Sequence, residues 1–158
     1  MWKFMTRTLA ATLLATAAVA GTFIVGMRRK SRVVRRAVRR ISKATRGLTV
    51  ASAGSSGAYA SVIKHHGRST GRAYETPVRA AATDDGFVIT LPYGADTDWV
   101  RNVAATGSAM LVHEGAEYEV NEPRIVRAPE AAQFFAGKDQ RTQRLFGVDE
   151  YLRLHRVA

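Results

Sequence analysis

The distribution of charge divides this chain into two parts with different chemistry. The first 46 residues carry 12 of the 24 lysines and arginines and no acidic residue, whereas the remainder carries 12 basic and 13 acidic side chains. The net charge of +11 therefore belongs to the N-terminal part alone. About 110 residues are left for a folded domain, which is enough for one hydrophobic core and too few for two.

An uncharged apolar run, Leu9–Met27, lies inside the basic N-terminal part. As a helix it would extend roughly 28 Å, close to the hydrocarbon thickness of a bilayer. Ten lysines and arginines follow between Arg28 and Arg46 and resist translocation, so we expect an uncleaved membrane anchor with the folded domain facing the cytoplasm. Two alternatives stay open: a signal peptide cleaved near Ala18-Val19-Ala20, and a soluble helix packed on the domain.

The basic run has the pattern of an amphipathic helix. Its apolar residues fall on one side of a helix and arginines occupy the rest, an arrangement that suits an anionic membrane surface. The stripe consists of Val33, Val34, Ala37, Val38 and Ile41. We expect no nucleic-acid partner, because the run has no interleaved aromatic residues and no recognisable reading module accompanies it.

The pattern after residue 46 predicts a linker over residues 47–57 and a mainly β (α+β) domain over residues 58–158. Leu48–Gly57 is small, polar and rich in Gly and Ser, as in a flexible joint. Asp85-Gly86 and Glu114-Gly115 predict two hairpins. Short apolar runs with turn residues between them predict a small split β-barrel with short inserted helices. The expected strands are Tyr59–His65, Thr76–Thr83, Phe87–Pro92, Ala109–His113 and Glu117–Asn121, the last continued past Pro123 through Ile125–Arg127.

Three short helices are expected within this domain. The first is capped by Asp98 and stopped by Gly107, the second runs from Pro129 through Phe135, and the third is capped by Asp149 and runs through Leu154.

Several common site chemistries are excluded by composition and spacing. The chain has no cysteine, which rules out disulfides, thiolate metal sites and a cysteine nucleophile. Its four histidines show no metal-ligand spacing, so no metal is expected. There is likewise no Ser-His-Asp pattern, no P-loop and no GxGxxG sequence after a strand.

The segment Gly67–Arg72 combines two glycines, two hydroxyls and two arginines between two predicted strands. Backbone N–H groups, hydroxyls and guanidinium groups together can bind one oxyanion, such as a phosphate or carboxylate. The alternative is an ordinary solvated hairpin turn.

A second segment, Leu91–Gly94, is followed by Asp98-Trp99-Val100-Arg101-Asn102. A Pro-Tyr-Gly strand end beside a helix start can form one wall of a pocket for a flat aromatic ligand. The alternative is that Trp99 and Val103 simply belong to the core.

The two segments, taken in order, resemble the deazaflavin-dependent nitroreductase family of actinobacteria, split-barrel proteins that include quinone reductases. The family pattern is a G-R-x-[ST]-G-R turn, a T-P-[LV] strand start, a strand ending in small residues and Gly, and W-x-x-N. Here these are Gly67–Arg72, Thr76-Pro77-Val78, Pro92-Tyr93-Gly94, and Trp99 with Asn102. The sequence from Leu145 to Leu152 also resembles one branch of the family, and the resemblance covers Tyr59 to Leu154.

The resemblance implies an oxidoreductase that transfers a hydride from reduced coenzyme F420 to a quinone, a nitro-aromatic compound or a similar apolar acceptor. FMN is the second candidate cofactor. By position, the turn would hold the anionic tail, Thr76 and Pro77 would flank the ring, the Leu91–Gly94 backbone would face its polar edge, and Trp99 and Asn102 would hold the helix against the pocket. The implied cofactor-binding residues are Arg68, Ser69, Thr70, Gly71, Arg72, Thr76, Pro77, Leu91, Pro92, Tyr93, Gly94, Trp99 and Asn102.

This chain departs from the family pattern at two places. Ser69 stands where the family often has Lys, which implies either a weaker affinity for the phosphate or a phosphate contact shared with Arg72 and Lys64. Tyr151 is the only tyrosine after Tyr118, so the tyrosine-rich acceptor wall of well-known members has no clear equivalent. Two rival functions remain: a membrane-tethered carrier of a lipid, tetrapyrrole or flavin without turnover, and a membrane adaptor that recruits anionic partners through its basic helix.

Overall fold

A computed structural model describes residues 21–26, 28, 53–55 and 57–157 of the chain. Within residues 57–157, seven strands form one antiparallel sheet in the order β2-β1-β5-β6-β7-β4-β3. The strands are β1 Ser61–His66, β2 Ala73–Val78, β3 Ala80–Ala82, β4 Gly86–Thr90, β5 Ser108–His113, β6 Ala116–Arg127 and β7 Glu150–Arg156. The helices are α1 Asp98–Thr106, α2 Ala128–Ala131 followed by the 3₁₀ turn Ala132–Phe134, and α3 Gly137–Phe146.

The two outermost strands of the sheet, β2 and β3, are separated in the chain by Arg79 alone. The carbonyl oxygen of Arg79 accepts a hydrogen bond of 3.0 Å from the N–H group of Thr90, at the end of β4. A single extended segment thus pairs with β1 through its first half and with β4 through its second half. Because one segment supplies both edges, the sheet curls into a half-barrel, and the expected mainly β split-barrel architecture is confirmed.

The core lies inside the curl, and a smaller apolar cluster covers the outer face. Ile63, Ile89 and Leu111 point inward and have no solvent exposure. Val88 points outward from β4 and packs with Phe135 and Tyr151 beneath α2 and α3. All five residues of β4 are therefore buried, which explains why Phe87, Val88 and Ile89 are consecutive apolar residues and do not alternate with polar ones.

The predicted helix from Asp149 through Leu154 is wrong, because this segment forms strand β7. It pairs with β4 on one side and β6 on the other. The residues alternate: Leu152 and Leu154 enter the inner core, whereas Tyr151 faces the outer cluster. Because both faces of β7 are buried, its apolar residues do not alternate clearly with polar ones, and a run this short has the same pattern as one turn of a helix.

Other boundaries differ in smaller ways. The helix predicted to end at Gly107 does so, with that glycine at φ +74°, but Asp98 is its first residue and Thr97 occupies the N-cap position. The strand expected over Thr76–Thr83 begins at Ala73, is broken at Arg79 and ends at Ala82. Strand β6 continues past Pro123, as expected, through an irregularity at Glu122, where φ is +51°.

Part of the apolar N-terminal run contacts the domain. Residues 21–26 and 28 are helical, and the Phe23 ring packs edge-on against Phe146 with 6.2 Å between centroids. Arg28 lies against Gly147, where an added Cβ would be 3.2 Å from its Cγ atom. We find no helix long and apolar enough to span a bilayer among the described residues. The rest of the predicted anchor, the amphipathic helix Val33–Ile41 and most of the linker lie outside those residues.

The β4–β7 contact at Gly86 provides a test of this strand pairing. A Cβ added at Gly86 would lie 2.1 Å from the carbonyl oxygen of Leu154, a backbone atom with little freedom to move. We expect Gly86→Ala to lower the free energy of unfolding by about 1–3 kcal/mol in urea denaturation. Gly137→Ala is the control, because nothing lies within 4 Å of that site and α3 begins there. It should be neutral or stabilising by about 0.4–1 kcal/mol, and equal losses in both variants would contradict the pairing.

Candidate functional site

The turn between β1 and β2 is held closed by its own backbone. The N–H groups of Gly67, Thr70 and Gly71 donate to carbonyl oxygens within the turn, at 2.8–3.2 Å. The N–H group of Arg72 approaches the Thr70 hydroxyl at 3.4 Å, and that of Arg68 donates to Asn102 at 3.2 Å. Five of the six N–H groups are thus already in use. An anion at this turn would therefore be bound mainly by side chains, whereas the sequence predicted that backbone N–H groups would contribute beside the hydroxyls and guanidinium groups.

The turn is fastened to helix α1 through Arg68. Both its N–H group and its guanidinium Nη1 donate to the amide oxygen of Asn102, the latter at 2.9 Å. The guanidinium also lies 3.6 Å from the Asp98 carboxylate. The first arginine of the turn therefore has a structural role in joining the turn to α1, the element that follows the second candidate segment.

The second arginine of the turn is placed differently. Arg72 is exposed, and its guanidinium has no ion pair or hydrogen bond among the described residues. Ser69 and Thr70 are exposed beside it. Lys64 is not part of this group, because it forms an ion pair with Glu117 on another part of the sheet. Arg72 thus provides the available cation of the turn, with two hydroxyls next to it.

A buried histidine connects the turn to strand β2. His65 is only 4% exposed; its Nδ1 lies 3.4 Å from the Asn102 amide nitrogen, and its Nε2 lies 3.2 Å from the Thr76 hydroxyl. The ring stacks on Tyr74 with 5.7 Å between centroids. Sequence reasoning did not select His65, since a single histidine in a strand carries no spacing signal. The His65 side chain thus links Asn102, and through it Arg68, to Thr76 by hydrogen bonds.

The second candidate segment turns directly after β4. The N–H group of Leu91 donates to the carbonyl oxygen of Glu150. The N–H group of Gly94 donates to the carbonyl oxygen of Leu91 at 2.9 Å, which closes the turn. Gly94 is buried at φ +82°, a conformation that favours glycine. The carboxylate of Glu150 accepts a hydrogen bond from the N–H group of Ala95 at 3.2 Å. Strand β7 thus fixes the path of this segment toward α1.

The side chains of this segment divide between the core and its margin. Leu91 is 3% exposed and belongs to the inner core, and Trp99 packs against that core while remaining partly exposed. Val103 is fully buried, as expected for a core residue. Pro92 and Tyr93 are half-buried, and burial raises the pKa of the Tyr93 phenol. Tyr93 therefore stays protonated at neutral pH and is able to donate a hydrogen bond.

Strand β2 offers the remaining candidate residues. It lies at the edge of the sheet, pairing with β1 only, and Pro77 suits such a strand because it has no N–H group to donate. Pro77 pairs with Val62, whereas Thr76 pairs with the core residue Ile63 and so points inward. The two residues expected to flank one ring therefore lie on opposite faces of β2, and only Thr76 faces the interior.

A second polar cluster lies at the opposite end of β1. The Ser61 hydroxyl is 2.7 Å from Nδ1 of His113, and Arg79 binds the buried Asp139 carboxylate at 2.7 Å. Burial is the main cause that lowers the pKa of His113, so this imidazole is neutral at pH 7. His113 has no carboxylate partner among its hydrogen bonds in the described chain, and the pair therefore lacks the third member of a catalytic triad.

Comparisons with known proteins leave the family open. No family model matches the chain, and no curated protein matches it significantly in sequence. Among the described residues, no cluster of three or more His, Asp or Glu side chains is placed to hold a metal ion.

The two arginines of the turn should differ in their effect on stability. Arg68→Ala removes a charge-assisted hydrogen bond to the buried Asn102 oxygen, and we expect a loss of about 1.5–3 kcal/mol in the free energy of unfolding. Arg72→Ala removes no described side-chain contact and should lie within about 0.5 kcal/mol of the unmodified chain. Urea denaturation of both variants provides the measurement. Equal stabilities would show that Arg68 does not hold the turn on α1.

Proposed function

We propose that this domain binds reduced coenzyme F420 and promotes transfer of its hydride to an apolar acceptor, with a quinone as the first candidate. The observation that carries the proposal is the contact between Arg68 and Asn102. These two residues are 34 positions apart. One belongs to the turn with the chemistry of an anion site and the other to the helix start that follows Leu91–Gly94, and only the two sequence features taken together resemble the family. Their direct contact supports the view that the turn and the start of α1 belong to a single binding site.

The residues near this contact have the chemistry that such a coenzyme requires. Its anionic tail needs cations and hydroxyls, which Arg72, Ser69 and Thr70 offer at the exposed side of the turn. Its flat ring needs an apolar wall with a few polar groups, and Trp99 and Tyr93 lie on the adjoining segment. The N-cap residue of α1, Thr97, lies in the same region, and its buried Oγ1 atom has no hydrogen-bond partner among the described residues.

The chain and the coenzyme have different tasks in this proposal. The bound coenzyme supplies the hydride, whereas the protein binds and orients it and keeps water away from the reacting face. Arg72 contributes electrostatic attraction for the tail, and Arg68 keeps the turn on α1. Tyr93 lies on the candidate segment, and its phenol stays protonated because burial raises its pKa. The alternative, a protein that carries a flavin-like ligand without a reaction, would use the same contacts to the ligand. It differs from the enzyme only because no hydride is transferred.

We also propose that the apolar N-terminal run anchors this domain at the cytoplasmic face of the cell membrane. In support, helical residues 21–26 reach α3 at Phe146, four residues before Glu150, whose carboxylate accepts a hydrogen bond from Ala95. Phe23 and Val25 remain 42% and 49% exposed on this helix. An anchored run would thus bring the second candidate segment close to the leaflet, where a lipid quinone is concentrated.

Coenzyme titration tests the proposed function. We expect Arg72→Ala to raise the dissociation constant for coenzyme F420 about 10- to 150-fold, because a charge-assisted contact to the tail is lost. Turnover at saturating coenzyme should change little, since the tail does not react. Binding is measured by calorimetry, and turnover is followed through the coenzyme spectrum with a quinone present.

The control for this titration is Arg141→Ala, which removes an exposed cation from helix α3. Its dissociation constant should match that of the unmodified chain. Binding without oxidation of the coenzyme would favour the carrier, and absence of binding would reject both the enzyme and a deazaflavin carrier.

Vesicle binding tests the proposed membrane surface. Replacing Arg35, Arg36, Arg39 and Arg40 with Gln should weaken binding of the full chain to vesicles that contain anionic lipid, by about 1 kcal/mol for each charge near the surface. Raising the salt concentration should have a similar effect, and vesicles of neutral lipid provide the reference. Binding that depends on neither salt nor lipid charge would contradict the role assigned to the basic run.

A further inference from the structure

Four side chains form a continuous hydrogen-bonded path across the candidate site. It runs from Arg68 to Asn102, on to His65, and ends at Thr76, with distances of 2.9, 3.4 and 3.2 Å. Asn102 and His65 are 6% and 4% exposed, so the middle of this path is shielded from solvent. Each buried polar atom must therefore find its partner within the protein, and the direction of each bond follows from the donors available.

The first step fixes the orientation of the Asn102 amide. Arg68 presents two donors, its N–H group and Nη1, and both approach the same amide oxygen. A guanidinium has no acceptor, so the amide nitrogen is excluded from this position. The NH₂ group of Asn102 consequently faces His65.

The second step fixes the proton on the imidazole. The Asn102 NH₂ group only donates, so the facing Nδ1 of His65 must accept and cannot carry a proton. The proton of the neutral ring therefore resides on Nε2. Tyr74 stacks on this ring from β2, and the Arg68 guanidinium lies on the far side of Asn102.

The third step determines the direction of the Thr76 hydroxyl. Nε2–H of His65 donates to Thr76 Oγ1, which uses one acceptor site of the oxygen. The proton of that hydroxyl must then point away from His65. No second partner for Thr76 Oγ1 occurs among the hydrogen bonds of the described residues. The inward face of the edge strand β2 thus presents a donor that is already oriented.

We propose that His65 is a positioning residue that holds the Thr76 hydroxyl as a hydrogen-bond donor toward a ligand acceptor atom, such as a carbonyl oxygen or ring nitrogen. The identity of the ligand rests on the proposed function, whereas the proton position and the hydroxyl direction rest on the four side chains alone. If the network were only structural, its hydrogen bonds would hold α1 on the sheet, and the proton of the Thr76 hydroxyl would not contact a ligand.

The proton position is measured on the ligand-free full chain. Long-range ¹H–¹⁵N spectra distinguish the two imidazole tautomers, and the chain has only four histidines to assign. The spectrum of His65→Gln identifies the signal that belongs to residue 65. We expect the Nε2–H tautomer for His65. Observation of the Nδ1–H tautomer would overturn the proposal whatever the protein binds.

Asn102→Asp provides the matched variant, because it replaces one donor by an acceptor without a change of shape. The carboxylate still accepts from Arg68 and now requires a proton on Nδ1 of His65. At about pH 9, where imidazole is neutral, we expect the Nδ1–H tautomer in this variant. Nε2 then becomes an acceptor and draws the Thr76 proton toward the ring. Retention of the Nε2–H tautomer would contradict the assigned chain of donors.

Coenzyme F420 is the ligand probe for the hydroxyl. Thr76→Val should raise its dissociation constant about three- to tenfold, the usual effect of losing one neutral hydrogen bond, whereas Thr76→Ser should retain affinity. At about pH 9, Asn102→Asp should lose affinity by a similar factor, although residue 76 is unchanged in it. Equal affinities of the Val and Ser variants would overturn the donor role. Absence of binding by the unmodified chain would reject the proposed function and the ligand named here, while the tautomers would still decide the role of His65.

Discussion

The partly buried ion pair between Arg79 and Asp139 stabilises the point at which the sheet curls. Arg79 stands between β2 and β3, and its guanidinium reaches Asp139 in the first turn of α3 at 2.7 Å, with 28% and 5% of the two side chains exposed. It also donates to the carbonyl oxygen of Tyr59 and lies over that ring at 4.5 Å. Removal of Arg79 would leave the buried Asp139 carboxylate without its cationic partner, so this contact joins β2, β3 and α3 more strongly than an exposed ion pair would.

The candidate site depends on this arrangement because its residues come from elements that the curl brings together. Strand β2 supplies Thr76, and the segment after β4 supplies Leu91 and Tyr93. These two parts meet through the inner core, in which Val78 and Leu91 belong to one cluster. A change in direction at Arg79 would separate the edge strand from the segment that follows β4. The site is thus a consequence of how one extended strand serves both edges of the sheet.

Local signals predicted much of this fold, and their failures have physical causes. Asp85-Gly86 and Glu114-Gly115 both mark real hairpins, and Gly107 ends α1. Glu114, Gly115 and Gly107 have positive φ, which few residues adopt, whereas Gly86 is required because the backbone of β7 leaves no space for a Cβ. Helix α3 was missed because its buried residues are polar: Asp139 and Gln143 face inward, toward Arg79 and Tyr151. Hydrophobic periodicity has no signal for a helix that is held by hydrogen bonds and an ion pair.

The same distinction applies within the candidate site. The sequence predicted a turn with two equivalent arginines, but tertiary contacts give them separate roles: Arg68 is committed to Asn102, and Arg72 remains available at the surface. No local pattern could reveal this division, since it depends on a helix 34 residues away. His65 was overlooked for a similar reason, because its importance lies in the direction of two hydrogen bonds rather than in spacing. In the path from Arg68 to Thr76, each donor faces an acceptor, so only one arrangement of the protons satisfies every hydrogen bond. Apolar side chains of the same volume could fill this space but would not fix the direction of the Thr76 hydroxyl.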